Sequence, residues 1–310
     1  MGIDRPDEDD APTVEPDSPL AGRAAETAPG AARELAVADL SDSPADREAE
    51  HLRYRTVVEC HTARQAWAEA LPEFRASWED HINRYPHPER TEPAVHADGS
   101  WHGDGVLELN PKQNAQVDIR LERICETGEE AILPSLRRLE SEDPERHLTG
   151  TENLLKKPDR LKEKVAGDIE YKGRTVEESL DNIKDAIRST FVYSEERYTE
   201  GVYADCARLE AAGFERYDRQ NSWQEDQYKG INSRWREPQS GLLFEVQFHT
   251  QASSDAKELT HRAYERLRGS AAPDEERAEL EAFQSAVSAK IPIPPEATRI
   301  EDYSVRRRDG

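Results

Sequence analysis

The sequence is poor in the residues that mark secreted and membrane-spanning proteins. Its 310 residues include three cysteines, Cys60, Cys125 and Cys206, an odd number at wide spacings. This pattern argues against a disulfide framework and against a zinc knuckle, and it favours a reducing compartment. No run approaches the roughly 18 apolar residues of a membrane span, and the first residues lack the features of a signal peptide. We therefore expect a cytoplasmic protein without membrane contact.

Apolar residues are also scarce. Hydrophobic and charged residues each make up 35% of the chain, and the formal net charge is -23. Residues 1–50 hold 14 Asp and Glu against four Arg. Such a segment cannot bury enough apolar surface to offset its chain entropy, so we predict a disordered acidic tail over residues 1–44. Because an acidic chain repels nucleic acid on average, nucleotide or RNA binding has to depend on a local basic pocket.

Helical spacing begins where the acidic tail ends. Between residues 54 and 78 apolar residues recur every three or four positions, which predicts an amphipathic helix over residues 43–85 that Pro72 kinks or breaks. Its Trp and Phe stripe is typical of a face packed on the same protein, with docking of a partner as the alternative. A second helical block follows over residues 111–139. We therefore predict a helical region over residues 45–147.

Strand, helix and turn signals alternate from residue 148 to residue 268. Runs of β-branched and aromatic residues predict four strands, at 186–193, 214–217, 231–235 and 242–249. A turn over residues 237–241 joins the last two strands. Helices are predicted at 201–212 and 256–267. This order predicts an α+β domain with a small mixed or antiparallel sheet flanked by helices, followed by a C-terminal helix and tail over 269–310.

Polar side chains alternate with apolar ones along the last predicted strand. Glu245, Gln247 and His249 share one face, whereas Phe244 and Phe248 lie on the other. Buried polar groups are costly unless they are paired. The polar row therefore predicts a floor that faces a ligand, and the alternative is an edge strand with a solvated face.

Asp185 and Arg188 stand at the start of the strand predicted over residues 186–193. Two carboxylates on neighbouring strands, here Asp185 and Glu245, can hold Mg²⁺ through their oxygens and present phosphates to it. Arg188 can supply a planar fork for a phosphate. The alternative is a structural ion pair between Asp185 and Arg188.

Two further segments carry candidate residues. Lys156, Arg160 and Lys164 fall on one face of a predicted helix and could grip a triphosphate, with a solvated helix face as the alternative. Tyr228 lies close to Gly230, which predicts an exposed ring on which a base lies flat. The alternative here is an ordinary turn before a strand.

The order of these motifs resembles the RelA/SpoT nucleotidyltransferase (alarmone synthetase) family. The match covers residues 148–268, and its most specific part is Glu-Val-Gln-Phe-His-Thr from Glu245. The family has an Asp five residues before the Arg of its Asp strand, where this chain has Ile183. The shared elements are a basic helix, an Asp strand ending in Arg188, the turn 228–232, the strand from Glu245, and a helix with His261 and Tyr264.

The resemblance implies a nucleotidyltransferase-like fold and Mg²⁺-dependent transfer of pyrophosphate from ATP to a ribose hydroxyl. The acceptor would be a guanosine nucleotide, giving a ppGpp-like alarmone, or an RNA end such as that of tRNA. Asp185 and Glu245 would hold the Mg²⁺, and with Gln247 they form the implied catalytic set. A homo-oligomer is compatible with this reading. Nine side chains are implied in nucleotide binding: Lys156, Arg160, Lys164, Arg188, Tyr228, Lys229, Asn232, His249 and His261.

Two other functions fit the same sequence. A catalytically degenerate homologue would bind a nucleotide as a sensor, which Ile183 favours and the retained Glu245 and Gln247 oppose. A scaffold or interaction protein of a toxin–antitoxin or phage-related system would use the helices of residues 43–139. Reversing the charge at Glu245 would abolish an enzyme's activity and leave a scaffold's function intact.

Overall fold

The computed structural model describes residues 44–86, 92–151, 154–268 and 272–305. Of the acidic tail predicted over residues 1–44, only residue 44 is described, and the rest lies outside the described residues. All the strands belong to the unit Tyr54–Gly310. Within the described ranges, no helix has the length and apolar character needed to cross a membrane.

The described residues form eight α-helices. A π-helical turn over Gly128–Ile132 joins the second and third of them, so the predicted helical block of residues 111–139 is continuous. The second helix begins with a capping box, in which Asn110 accepts from the backbone N–H of Gln113 at 3.0 Å. The helices are α1 (Pro44–Arg84), α2 (Pro111–Thr127), α3 (Leu133–Ser141), α4 (Pro158–Lys172), α5 (Val176–Asp181), α6 (Tyr198–Ala211), α7 (Gln251–Arg268) and α8 (Asp274–Ala289).

Helix α1 continues through Pro72, so the helix is not broken there, and the expected kink stays a prediction. Trp67 and Trp78, on either side of the proline, are 4% and 7% exposed. Packing on both sides holds the helix across the missing backbone N–H. Tyr54 and Val57 are exposed, so the predicted apolar stripe is packed only in the second half of the helix.

The strands form two sheets. A small antiparallel sheet contains β1 (Ala94–Val95), β2 (Trp101–His102) and β3 (Glu108–Leu109). The main sheet contains β4 (Arg146–Thr149), β5 (Arg188–Tyr193), β6 (Glu215–Asn221), β7 (Ile231–Arg236), β8 (Leu243–Thr250) and β9 (Tyr303–Ser304). Its order is β4-β5-β8-β7-β6-β9, with β5 and β8 parallel and the other neighbours antiparallel. The predicted α+β class with a small mixed sheet flanked by helices is confirmed.

Strand β8 lies inside the main sheet, between β5 and β7. The alternative of an edge strand is therefore wrong. Its apolar face is fully buried at Phe244 and Phe248 and is covered by α6, where the hydroxyl of Tyr198 donates to the carbonyl of Phe248 at 2.8 Å. The opposite face carries the polar row, which is also buried: Glu245, Gln247 and His249.

Candidate active site

The two predicted carboxylates meet at one guanidinium. Arg188 on β5 is the register partner of Glu245 on β8, and its Nε donates to Glu245 Oε2 at 2.5 Å. Nη2 of Arg188 lies 3.3 Å from Asp185 Oδ2. Ile183 is buried in the hydrophobic core. Asp185, which is three residues before Arg188, therefore joins the cluster. The buried Ile183 occupies the position five residues before Arg188, where the family has its Asp.

Two lysines of the basic segment bind Asp185 from its other side. Lys156 Nζ donates to Oδ2 at 2.8 Å, and Lys164 Nζ donates to Oδ1 at 2.9 Å. Lys164 lies in α4, whereas Lys156 precedes that helix, so the predicted shared helix face is wrong for Lys156. Burial alone raises the pKa of Asp185, but the two ammonium groups outweigh it and hold this pKa below its ordinary value. Asp185 is therefore ionised at neutral pH.

Gln247 extends the cluster to the next strand and to a helix. Its Nε2 donates to Asn232 Oδ1 on β7 at 2.9 Å and lies 3.3 Å from Glu245 Oε2. Its Oε1 accepts from Lys257 Nζ on α7 at 2.6 Å. Burial and the charge of Arg188 lower the pKa of Lys257 to about 8, against the opposing effect of Glu245. The sequence did not predict Lys257 as a site residue, because its spacing along the helix does not show that it contacts β8.

Tyr228 is half-buried, which corrects the expectation of an exposed ring. Its hydroxyl lies 3.0 Å from Asn232 Oδ1 and 2.9 Å from His249 Nε2. His249 is fully buried, and its Nδ1 lies 2.8 Å from Ser253 Oγ. Burial and then the charge of Lys257 hold the pKa of His249 well below its ordinary value. The imidazole is therefore neutral and links Tyr228 to α7.

Gly230 makes room for this imidazole. Its φ is +150°, and a Cβ placed on it would lie 2.6 Å from His249 Cε1. The next residue, Ile231, pairs with Phe248 in the sheet, which sets Gly230 beside His249. The glycine therefore permits close approach of β7 and β8.

Three of the predicted nucleotide-binding residues make their contacts outside this network. Arg160 Nη2 donates to Glu265 at 3.1 Å, and the exposed His261 has its Nε2 3.7 Å from the same carboxylate. The Lys229 ammonium donates to the backbone carbonyl of Glu225. The structure brings together the other predicted site residues, namely Lys156, Lys164, Asp185, Arg188, Tyr228, Asn232, Glu245, Gln247 and His249.

The assembled cluster favours anions. Its charged members are four cations and the carboxylates of Asp185 and Glu245, which leaves positive charge in a chain of net charge -23. The cations are Lys156, Lys164, Arg188 and Lys257. Partly exposed cations held together in this way are suited to phosphate groups.

A metal would have few protein ligands in this site. Among the described residues, no group of three or more His, Cys, Asp and Glu side chains could hold a metal ion. Asp185 and Glu245, which meet at Arg188, fit the mode in which Mg²⁺ takes one or two carboxylates and completes its shell with phosphates and water. The residues present therefore fit Mg²⁺ only when a phosphate substrate is bound.

Comparisons with known proteins find distant structural likeness. No family model matches the sequence, and no curated protein matches it. The small alarmone synthetase 1 from Bacillus subtilis bound to its product pppGpp is 18% identical, with a TM-score of 0.41 over 61% of this chain and 96% of that chain. A GTP pyrophosphokinase family protein from Streptococcus pneumoniae is 16% identical, with a TM-score of 0.40 over 58% and 90%. Similarity at this level carries no conclusion about activity.

Proposed function

We propose that the chain transfers pyrophosphate from ATP to a ribose hydroxyl of a guanosine nucleotide, with Mg²⁺ as cofactor, as the RelA/SpoT family does. The observation that carries the proposal is the meeting of Asp185 and Glu245 at Arg188, with two lysines on the far side of Asp185. Transfer between two polyanions needs cations to bind the phosphates and carboxylates to hold a metal. An RNA end is the second class of acceptor.

The side chains of the cluster have distinct parts in this reaction. Lys156, Lys164 and Arg188 bind the triphosphate of ATP, with Arg188 offering a planar fork. Gln247 and Asn232, the two amides of the cluster, orient hydroxyl groups. The ribose oxygen forms a bond to the β-phosphorus of ATP, the bond from that phosphorus to the α-phosphate oxygen breaks, AMP leaves, and the hydroxyl proton passes to water. Asp185 and Glu245 would hold Mg²⁺, which would supply neutralisation of the phosphate charge.

Transfer of a radioactive label tests this proposal. The whole chain is incubated with Mg²⁺ and γ-labelled ATP, and with GDP, GTP, ADP or bulk tRNA in separate reactions. We expect label on a guanosine nucleotide and a rate about 100-fold or more lower in Glu245→Gln, because that variant removes a charge from the metal and phosphate site. The matched control is Glu265→Gln, a half-exposed glutamate outside the network, which should keep the rate.

Each other outcome has a definite meaning. Label on tRNA alone would assign the RNA end as acceptor. No label on any acceptor would contradict the transferase proposal and leave the nucleotide sensor as the alternative. Two observations favour that sensor: Lys156, Lys164 and Arg188 are paired with carboxylates, and Ile183 lies in the core. Nucleotide binding without label transfer would support that sensor.

A further inference from the structure

A polar cavity lies at the beginning of β8, beside the candidate active site. It has a volume of about 230 Å³ and is lined by residues of α2, α5, the loop before β5 and the adjoining ends of β7 and β8. This volume is below the roughly 300 Å³ at which pockets for larger ligands begin. Its charged lining consists of Arg120, Asp181, Lys184 and Arg236.

Two of these cations face one aromatic ring in the cavity wall. Lys184 Nζ lies 4.8 Å from the ring centroid of Tyr217, and Arg236 Cζ lies 5.7 Å from the same centroid. The ring attracts each cation, yet the two like charges repel one another. In the described part of the chain, Lys184 has no carboxylate partner within salt-bridge distance. An anion bound in the cavity near Lys184 and Arg236 would offset this repulsion.

The carboxylates near the other cations are weak competitors. Arg120 lies 3.3 Å from Asp181 and Arg236 lies 3.7 Å from Glu215, and these acidic side chains are 74% and 63% exposed. Exposed ion pairs contribute about 0–1 kcal/mol. A polyphosphate, which carries several charges and matches the planar forks of arginine, would outcompete them.

The cavity adjoins the candidate active site. Lys184 immediately precedes Asp185 in the chain. Leu243 lines the cavity and is two residues before Glu245 on the same face of β8, which is about 7 Å along a strand. A phosphate group held in the cavity would therefore lie beside the carboxylates at Arg188.

We propose that this cavity is an anion subsite that binds the phosphate groups of a polyphosphate, supplied by a nucleotide or by free pyrophosphate. Lys184 and Arg236 hold the phosphate oxygens, and Arg120 joins them after exchanging Asp181 for the ligand. The subsite goes beyond the proposed transfer reaction and does not depend on it, since binding requires no chemistry.

Isothermal titration of the whole chain tests the subsite. The background is Lys156→Gln/Lys164→Gln, which weakens phosphate binding at the candidate active site. In that background, pyrophosphate, GTP, ATP and guanosine are titrated at low ionic strength with and without Lys184→Gln. We expect pyrophosphate or the nucleotides to bind and guanosine not to bind, with the affinity about tenfold or more lower in Lys184→Gln. The matched control Lys290→Gln, at an exposed position, should leave the affinity unchanged.

The outcomes separate the two proposals. Tighter binding of the nucleotides than of pyrophosphate would support a nucleotide as the source, and the reverse would support free pyrophosphate. The subsite is overturned if nothing binds in the background, or if both Lys184→Gln and a second variant, Arg236→Gln, leave the affinity unchanged. Label transfer is a separate measurement. If the chain transfers no label but its anion affinity falls in Lys184→Gln, the transferase proposal is contradicted and the subsite is supported.

Discussion

Lys257 is a single residue whose charge depends on its surroundings. It is half-buried on α7, it donates to Gln247 at 2.6 Å, and its pKa is lowered to about 8. A lysine in water keeps its proton to about pH 10.4. Lys257 therefore loses its positive charge at a lower pH than a lysine in water does.

The pH dependence of kcat/KM should reveal this lysine. A lowered pKa means that the charged form exists below about pH 8, so kcat/KM should fall as the pH rises through that value, because the site loses a cation that attracts phosphate. Lys257→Arg should move the alkaline limb above about pH 10, since a guanidinium stays charged. Lys290→Arg is the control at an exposed position. If the alkaline fall of kcat/KM is unchanged in Lys257→Arg, a group other than Lys257 causes it.

At the scale of elements, the entry into β7 is fitted to a side chain of β8. Gly230→Ala should lower the free energy of unfolding by about 1–3 kcal/mol, because its Cβ would lie 2.6 Å from the His249 ring. Urea unfolding measures this change. Gly213→Ala is the control: its φ of +95° carries a similar backbone cost, but nothing lies within 4 Å of its Cβ. Equal losses in the two variants would show that backbone strain alone is responsible.

Regular elements were more predictable from sequence than the contacts between them. Alternation along β8 was enough to place Glu245 and Gln247 on one face, because side-chain direction in a strand has a period of two. The approach of Lys257 was not predictable, since it depends on how α7 packs on the sheet. The same holds for Arg160, which turns to Glu265 on another helix.

At the scale of the whole molecule, a buried ion pair joins β4 to α6. Arg146 Nε lies 2.9 Å from Asp205 Oδ2, and the two side chains are 1% and 0% exposed. The hydroxyl of Tyr193 donates to the same carboxylate at 2.5 Å. The sequence shows Asp205 only as one more charged residue of a predicted helix, because burial of a charge depends on its tertiary partners.

Removal of this buried charge should weaken the entire fold. Asp205→Asn leaves the Arg146 guanidinium without its main counter-charge, so we expect the free energy of unfolding to fall by about 3–5 kcal/mol. Chemical denaturation measures the loss. The control is Glu59→Gln, which breaks an exposed ion pair: the side chains of Arg55 and Glu59 are 64% and 68% exposed. It should change the free energy of unfolding by less than about 1 kcal/mol. A similar small change in Asp205→Asn would mean that the ion pair does not stabilise the fold.

The parallel pairing of β5 and β8 sets a time order during synthesis. Arg188 and Glu245 are register partners that lie 57 residues apart in the chain, and β6 and β7 leave the ribosome before β8 does. A nascent chain that ends before Leu243 holds Lys156, Lys164, Asp185 and Arg188, but it has no Glu245 to complete the pair. Because β8 must enter between β5 and β7, a chain that ends before β8 cannot assemble the site, and the strand that completes the centre of the sheet also completes the pair of carboxylates.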